Sequence, residues 1–185
     1  GVIGYPTDTV YGLGCDLMNK QAIDRLYQIK GMSRDQNLSF ICPDLADIAR
    51  YAVVENDVYR ILKRFLPGPY CFILEATRDV PRIVQSSRRT VGVRIPKHPV
   101  AIALVTELGR PIISSTAARH GELPNPDPSE IDDNFRGLSL VVDAGPADGE
   151  LEESAEPRPH IGDDRRVALG DGSRTPAHRS TLAAD

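Results

Sequence analysis

The sequence of 185 residues lacks the marks of several broad classes of protein. None of its apolar runs approaches the roughly 18 residues that a membrane span requires, so we expect no association with a membrane. Lysine and arginine number 22 against 26 aspartate and glutamate residues, giving a net charge of −4. This balance excludes a general basic field for nucleic acid, although a local basic patch stays open.

Cysteine is also scarce. The sequence has three cysteines, Cys15, Cys42 and Cys71. Their odd number and wide spacing argue against a disulfide framework or a zinc site. This use of cysteine suits a reducing compartment, so we expect a cytoplasmic protein. No initiating methionine or signal peptide precedes residues 1–5, which already have the apolar character of a strand. We therefore expect a further N-terminal element ahead of Gly1.

Aromatic and large apolar residues are almost missing from the last part of the chain. The six tyrosines and four phenylalanines all precede residue 136, and only five of residues 151–185 are Val, Ile, Leu, Met or aromatic. Burial of so little apolar surface does not offset the ordering entropy of about 1–2 kcal/mol per residue. We predict a folded domain over residues 1–148 and an irregular or disordered tail over residues 149–185.

Within residues 1–148 the apolar pattern alternates between strands and helices. Strands are predicted over residues 2–6, 38–42, 70–76, 90–95, 111–116 and 138–143. Helices are predicted over residues 19–30, 44–51, 56–66 and 99–109, with a short one from Pro128. Strands separated by single helices indicate one α/β domain. The pattern does not decide which strand pairs are parallel.

The first polar segment follows the first predicted strand. It is interpreted as a loop that carries Thr7, Asp8, Thr9 and Tyr11 and is followed by two glycines, Gly12 and Gly14. Hydroxyls and glycine amides at a strand end suit a small polar ligand. The alternative is an ordinary turn in which Asp8 caps local amides. The glycine spacing matches neither a dinucleotide fingerprint nor a P-loop.

Two further segments carry groups that suit phosphate. Lys30 and Arg34 lie at a predicted helix end and are able to clamp a triphosphate, but cations also favour helix C-termini for structural reasons. Ser115 and Thr116 open a hydroxyl-rich loop after a predicted strand. These hydroxyls suit phosphate oxygens, and the alternative is a simple Ser/Thr turn.

Arg94 lies on a predicted strand between apolar neighbours and shares a sheet face with Gly92. An arginine in this position needs a partner, which is either an anionic ligand or a structural salt bridge. It also belongs to a basic cluster around this strand, whose members are Arg82, Arg88, Arg89, Arg94 and Lys97. The cluster is a candidate footprint for nucleic acid, with a solvated loop as the alternative.

Taken together and in order, these segments resemble the YrdC/YciO family. The segments that carry the resemblance are Tyr5-Pro-Thr-Asp-Thr-Val-Tyr-Gly-Leu-Gly-Cys-Asp16, Ile29-Lys-Gly31, Leu66-Pro-Gly-Pro-Tyr-Cys-Phe-Ile-Leu74, Val91-Gly-Val-Arg-Ile-Pro96 and Pro111-Ile-Ile-Ser-Ser-Thr116. The resemblance implies a single twisted α/β domain with a concave, positively lined ligand cavity. It implies synthesis of threonylcarbamoyl-AMP from ATP, L-threonine and bicarbonate for tRNA modification, and it also implies binding of double-stranded RNA.

The resemblance also implies roles for individual residues. Thr7, Thr9 and Tyr11 would line the end that takes threonine and bicarbonate, and Arg94 would hold the amino-acid carboxylate or the nucleotide. Lys30 would contact phosphates as the catalytic cation. The remaining nucleotide-binding residues would be Arg34, Ser115 and Thr116. Catalysis would rest on orientation and charge neutralisation with Mg²⁺, without a covalent nucleophile.

Three positions depart from the family pattern. The arginine of the family's Lys-x-Arg motif falls on Met32, and two polar positions near residue 118 fall on Ala117 and Arg119. With these changes the sequence is more similar to the YciO branch than to the synthase branch. Three hypotheses stay open: a synthase-like enzyme, an RNA-binding YciO-type protein without synthase activity, and an inactive fragment.

The tail departs from the family as well. Relatives continue into a final β-strand where residues 149–154 pass into unpatterned sequence. We hypothesise a reading-frame shift or an alternative end near residue 150. On that hypothesis the sheet would lack its last strand as well as its N-terminal element.

Overall fold

The computed structural model describes residues 1–34, 36, 38–119, 122–124 and 126–147, together with the backbone of residues 168–170. The strands are β1 (Val2–Tyr5), β2 (Gly12–Asp16), β3 (Ser39–Ile41), β4 (Cys71–Glu75), β5 (Thr90–Arg94), β6 (Ile112–Thr116), β7 (Leu140–Val141) and β8 (Ala168–Gly170). The helices are α1 (Lys20–Lys30), α2 (Leu45–Tyr51), α3 (Asn56–Phe65), α4 (Pro99–Leu108) and α5 (Pro128–Asn134), with a 3₁₀ turn at Arg82–Val84.

These strands form one mixed sheet in the order β7-β1-β2-β6-β3-β5-β4-β8. The β3–β5 and β1–β7 pairs are parallel, and the other pairs are antiparallel. β3 therefore lies between β6 and β5, with Ile41 opposite Arg94 on one side and opposite Ile112 on the other. The predicted α/β class is confirmed.

The ends of α1 follow from its sequence. The Asn19 side chain accepts a hydrogen bond of 3.0 Å from the amide of Ala22, which satisfies one of the free amides of the first turn. Gly31 ends the helix in the left-handed region, with φ of 61°, where a residue without Cβ is favoured. α1 buries Ile23 and Leu26 against the sheet. The predicted helix over residues 19–30 is confirmed.

The two sheet faces are covered to different extents. One face carries Leu13, Phe40 and Val93 into the main core, which α1 completes. On the other face, α4 packs Ala101 and Val105 against a smaller cluster formed by Tyr5, Ile41 and Ile112. The part of that second face nearer β4 is more open, since Ile73 is 40% exposed there.

The sequence analysis predicted no strand after the first polar segment, and the structure adds the buried strand β2 over Gly12–Asp16. Gly14 interrupts the apolar pattern of this strand, but the packing around it leaves no room for a larger residue. A Cβ there would lie 2.5 Å from Cγ2 of Ile112 and 2.9 Å from Cε1 of Tyr5. The packing that selects glycine comes from residues distant in sequence, which is why the local pattern missed the strand.

The predicted domain boundary at residues 148–149 lies outside the described residues. So does the predicted irregular tail, apart from Ala168–Gly170, whose backbone pairs antiparallel with β4. Within the described part, no helix is both long enough and apolar enough to cross a membrane.

Candidate functional site

Small side chains line the more open face of the sheet across four strands. We call the set Gly12, Ser39, Gly92 and Ser114 the small-residue face. A Cβ on Gly92 would lie 3.2 Å from Oγ of Ser39, and one on Gly12 would lie 3.1 Å from Oγ of Ser114. Ser39 is opposite both Gly92 and Ser114 in the sheet. Of the four residues only Ser39 is partly exposed; Gly12, Gly92 and Ser114 are buried, and Oγ of Ser114 accepts a hydrogen bond of 2.6 Å from the Tyr5 hydroxyl.

Arg94 joins one end of this face to the loop after β1. Its Nη2 donates to Oδ1 of Asp8 at 2.5 Å and to Oγ1 of Thr9 at 3.1 Å. The ion pair is largely buried, with 16% of the Arg94 side chain and 12% of the Asp8 side chain exposed. The charge of Arg94 is thus balanced by a carboxylate from 86 residues earlier.

The loop after β1 is shaped by its own hydroxyls. Thr7 is buried, and its Oγ1 donates to the carbonyl of Val10 at 2.6 Å. The same oxygen accepts from the amide of Thr9 at 3.2 Å and lies 3.1 Å from the Thr9 hydroxyl. Thr7 therefore holds the turn, and Thr9 faces Arg94. The structure brings together Thr7, Thr9 and Arg94, and their assignment to substrate stays a prediction.

Two polar atoms of this ion pair remain without a partner. Oδ2 of Asp8 and Nε of Arg94 are both buried and make no hydrogen bond within the described structure. A buried polar group without a partner costs about 1–3 kcal/mol. The pair therefore keeps one acceptor and one donor whose hydrogen-bonding capacity is unused.

Tyr11 has a different environment from the one the resemblance implies. Its ring is buried, and its hydroxyl donates to the carbonyl of Gly145 at 2.7 Å while it accepts from the amide of Ala144 at 3.1 Å. Burial raises the pKa of this hydroxyl. Tyr11 therefore fastens the chain after β7 to the start of β2, and its assignment to substrate stays a prediction.

Lys30 reaches the end of β6 from the last turn of α1. Its Nζ donates to the carbonyl of Thr116 at 2.6 Å and to that of Ala118, and it lies 5.8 Å from the ring centroid of Phe135. Burial lowers the pKa of this ammonium to about 8. No ion pair of the described residues includes Lys30. It is therefore a desolvated cation without a carboxylate.

The hydroxyls next to Lys30 differ in their contacts. Ser115 donates to the Sδ atom of Met32 at 3.7 Å, and Thr116 is exposed at the strand end. Because Gly12 pairs with Thr116 across β2 and β6, this group adjoins the small-residue face. The thioether of Met32 thus occupies a place beside Ser115 where the family pattern has a cation.

Arg34 is not brought into this group. Its guanidinium pairs with Asp24 and lies 4.6 Å from the ring centroid of Tyr27, and half of its side chain is exposed. This is a surface ion pair on the outer side of α1, and its assignment to nucleotide stays a prediction. Arg119 donates to the carbonyl of Asn134 at 2.9 Å, towards α5.

The predicted basic cluster is divided by the structure. Arg82, Arg88 and Arg89 are exposed near the start of β5. Lys97 is exposed beyond the opposite end of the strand, and Arg94 turns inward to Asp8. The three exposed arginines form no ion pair among the described residues.

Three residues of the site were missed or given another role in the sequence analysis. Asp8 was named in the candidate loop with a role only as a cap in the alternative, and Ser39 and Cys71 were not named as site residues. The Cys71 thiol lies 3.3 Å from Oγ of Ser39, half-buried beside Gly92. The two-residue period of a strand that places Phe40 and Phe72 in the core puts Ser39 and Cys71 on the opposite face. That signal was available for these two.

Among the described residues, no group of three or more His, Cys, Asp or Glu side chains is arranged to hold a metal ion. One carboxylate, Asp8, faces the site with a free oxygen. Mg²⁺ is commonly held by one or two carboxylates together with substrate phosphates. The donor set here suits that mode rather than a cage built from protein ligands alone.

Comparison with known proteins gives consistent similarities. The model of the Sua5/YciO/YrdC family, described as "Telomere recombination", matches residues 1–155. The uncharacterized protein YciO of Escherichia coli (strain K12) is 38% identical over 148 residues, covering 78% of this chain and 72% of YciO. Its crystal structure superposes with a TM-score of 0.72, covering 76% of this chain and 70% of that chain.

Two other proteins connect the similarity to chemistry. The threonylcarbamoyl-AMP synthase of Hydrogenovibrio crunogenus is 36% identical over 128 residues, covering 67% of this chain and 69% of the synthase. The crystal structure of P. abyssi Sua5 complexed with L-threonine is 28% identical and has a TM-score of 0.73. That match covers 78% of this chain and 43% of Sua5.

Proposed function

Because this chain belongs to the Sua5/YciO/YrdC family, we propose that it binds L-threonine and ATP on the small-residue face and forms threonylcarbamoyl-AMP with bicarbonate. The observation that carries the proposal is the buried Arg94–Asp8 pair, with an unpartnered donor and acceptor next to two threonines. The synthases among the relatives and the threonine-bound Sua5 structure support the same chemistry.

Threonine matches the free groups of the ion pair. In this proposal its carboxylate accepts from Nε of Arg94, and its amino group donates to Oδ2 of Asp8. The Thr9 hydroxyl, already turned toward Arg94, is the polar neighbour that contacts the same ligand. Fixing both ends of an amino acid orients its nitrogen for reaction, and orientation is a large part of catalysis in such steps.

The phosphates belong at the Lys30 end of the face. A lysine held by two carbonyls and without a carboxylate gains an anionic partner when a triphosphate binds. Thr116 is exposed beside it and is able to donate to phosphate oxygens. Mg²⁺ would arrive with the triphosphate and supply further charge neutralisation.

The proposed reaction has two bond-forming steps. The threonine nitrogen forms a bond to the carbon of bicarbonate, and water leaves, giving a carbamate. A carbamate oxygen then bonds to the α-phosphorus of ATP while the bond to the β-phosphate oxygen breaks and diphosphate leaves. In this scheme Lys30 neutralises the developing charge on the leaving phosphates. No side chain becomes covalently attached.

Diphosphate release from ATP tests this proposal. On protein shown to be folded by circular dichroism, we expect release only when threonine, bicarbonate and Mg²⁺ are all present. Arg94→Gln should abolish it, and the matched control Arg50→Gln should not, because Arg50 is exposed and pairs with Asp79 on the surface. Diphosphate release that does not require threonine, or that persists in the Arg94→Gln variant, would contradict the proposal.

A second candidate is binding of double-stranded RNA without synthase chemistry. The observation that favours it is the exposed trio Arg82, Arg88 and Arg89, which lacks ion-pair partners among the described residues. Such cations suit a phosphate backbone. Replacement of all three arginines by glutamine should weaken RNA binding, and the binding constant should then fall less steeply with salt concentration. A folded protein that binds RNA and releases no diphosphate would favour this candidate.

A further inference from the structure

Three exposed arginines from separate elements line one surface cavity near the end of β6. The cavity has a volume of about 300 Å³ and is lined by Arg25 of α1, Arg119 after β6 and Arg136 after α5. We call it the arginine groove. Its remaining lining residues are Gln28, Ile29, Asp133 and Asn134. The lining includes no residue of the small-residue face and neither partner of the Arg94–Asp8 ion pair.

Two of the three guanidinium groups are positioned by the backbone at the end of α5 and just after it. Arg119 donates from Nη2 to the carbonyl of Asn134 at 2.9 Å. Arg25 packs against Gly137, where a Cβ would lie only 1.9 Å from its Nη2 atom. Gly137 has φ of 96°, a conformation that favours glycine. The residue without a side chain at position 137 therefore makes room for Arg25.

Among the described residues, no carboxylate forms an ion pair with a groove arginine. The ion pairs of the described residues involve Arg34, Arg50, Arg94 and Arg110, and none of the three groove arginines. Asp24, the neighbour of Arg25 in sequence, is taken by Arg34 on the other side. Asp133 is the one carboxylate in the lining. Three cations against one anion leave a local excess of two positive charges on a chain whose net charge is −4.

Exposed arginines are often simply solvated, but like charges that converge on one cavity repel each other unless an anion joins them. From this geometry we infer that the arginine groove is a binding site for a small polyphosphate anion of the diphosphate class. Arginine forks bind phosphate oxygens in pairs, which suits three guanidinium groups around one multivalent anion. The volume is at the lower end of ligand pockets. The lining has no aromatic ring on which a base would stack.

The groove adjoins Lys30. The carbonyl of Ala118, to which Lys30 donates, precedes Arg119 in sequence, and Phe135, whose ring lies 5.8 Å from the Lys30 ammonium, is between Asn134 and Arg136. The inference does not depend on the synthase reaction, because binding of diphosphate requires no turnover and is measured on the protein alone.

Titration calorimetry with sodium diphosphate at low salt tests the inference on the full chain. We expect saturable binding that weakens at least fivefold in each of Arg25→Gln, Arg119→Gln and Arg136→Gln. Arg64→Gln is the matched control, since Arg64 is exposed on α3 and packs over Phe65. Unchanged melting temperatures in the three variants would show that lost binding is not lost folding.

Three outcomes would overturn the inference. Diphosphate binding that is absent from the folded wild-type protein excludes the site. Binding that is equally weakened by Arg64→Gln reflects general charge. Binding of a 20-base-pair RNA duplex that the three groove variants abolish, with no binding of free diphosphate, assigns the groove to a nucleic-acid backbone instead. Retention of diphosphate affinity in Lys30→Met, with loss in Arg119→Gln, would further separate this site from the proposed ATP site.

Discussion

Arg94 and Asp8 form an ion pair of 2.5 Å between the end of β5 and the loop after β1. The sequence left open whether the partner of Arg94 is an anionic ligand or a carboxylate of the protein, and the structure supplies a carboxylate. Each partner nevertheless keeps one buried atom unpaired. The pair therefore stabilises the loop and leaves groups for a ligand, so its removal should affect both stability and binding.

Asp8→Asn should destabilise the protein by about 3 kcal/mol, because it leaves the buried Arg94 without a counter-charge. The matched control is Asp79→Asn, which breaks the exposed pair with Arg50 and should cost less than about 1 kcal/mol. Urea unfolding measures both changes. Equal effects of the two variants would show that burial of the Arg94 pair makes no energetic difference.

The stability difference between wild type and Lys30→Met should depend on pH. Burial lowers the Lys30 pKa from 10.5 to about 8, so between these values the unfolded chain binds more protons than the folded one. Wild-type stability relative to the variant should therefore rise with pH from about 8 and level off above about 10.5. Taking the difference removes the opposite contributions of the buried tyrosines and thiols.

The control for this experiment is Lys63→Met on α3, where the lysine is exposed. Its stability difference from wild type should stay flat over the same pH range. A flat curve for Lys30→Met as well would mean that water reaches the ammonium and that its environment is not desolvated.

Thiol labelling should report on the small-residue face. Cys15 and Cys42 are buried, whereas Cys71 is half-buried next to Ser39. Burial also raises the Cys71 pKa, so we expect slow labelling, with Cys71 still the first of the three to react with N-ethylmaleimide. Mass spectrometry of peptides identifies the site, and threonine with ATP should protect it. Faster labelling of Cys15 would contradict the described burial.

Two glycines on the same sheet face should differ in their tolerance of alanine. Gly14→Ala should cost about 1–3 kcal/mol, since the new Cβ meets Ile112, the Tyr5 ring and a backbone carbonyl within 3.1 Å. The Cβ of Gly92→Ala meets side-chain ends alone, those of Cys71 and Ser39 at 3.2 Å and of Ile73 at 3.4 Å, and this substitution should cost less than about 1 kcal/mol. Thermal unfolding compares them. The reverse order would mean that the packing around Gly14 relaxes freely.

Restoring the family residues should raise synthase activity. The triple variant Met32→Arg, Ala117→Ser and Arg119→Asn places a cation beside Ser115 and returns two polar groups near Lys30. Contacts to charged groups are worth about 1.5–3 kcal/mol each, or about ten- to a hundredfold. Diphosphate release from ATP measures the gain. A folded triple variant without any gain would mean that other positions limit the reaction.

The sequence predicted those features whose causes are local. Asn19 and Gly31 bound α1 through contacts within the helix itself, and Pro99 and Gly109 do the same for α4. The alternation around Arg94 placed it correctly on the face of Gly92, because strand geometry requires only neighbouring residues. For the same reason the sequence predicted three of the strands, over residues 38–42, 90–95 and 111–116. In the structure each of these strands is one or two residues shorter than predicted.

The features that were missed depend on residues far apart in the chain. Gly14 belongs to a strand because Tyr5 and Ile112 need its space. Asp8 became the partner of Arg94 only through the placement of β5 against the loop after β1. The contacts of the Tyr11 hydroxyl with Ala144 and Gly145 also come from a segment more than 130 residues away. The arginine groove likewise draws on three separate segments, and no spacing in the sequence marks it.

The position of β3 between β5 and β6 has a consequence for folding during synthesis. Ser39 reaches its neighbour Ser114 only when β6 has been synthesised, 75 residues later in the chain. Pairings of such long range close late in folding. A chain emerging from the ribosome therefore has no small-residue face until β6 has left the exit tunnel, so a ligand of that face acts after synthesis on the finished sheet and does not guide its early assembly.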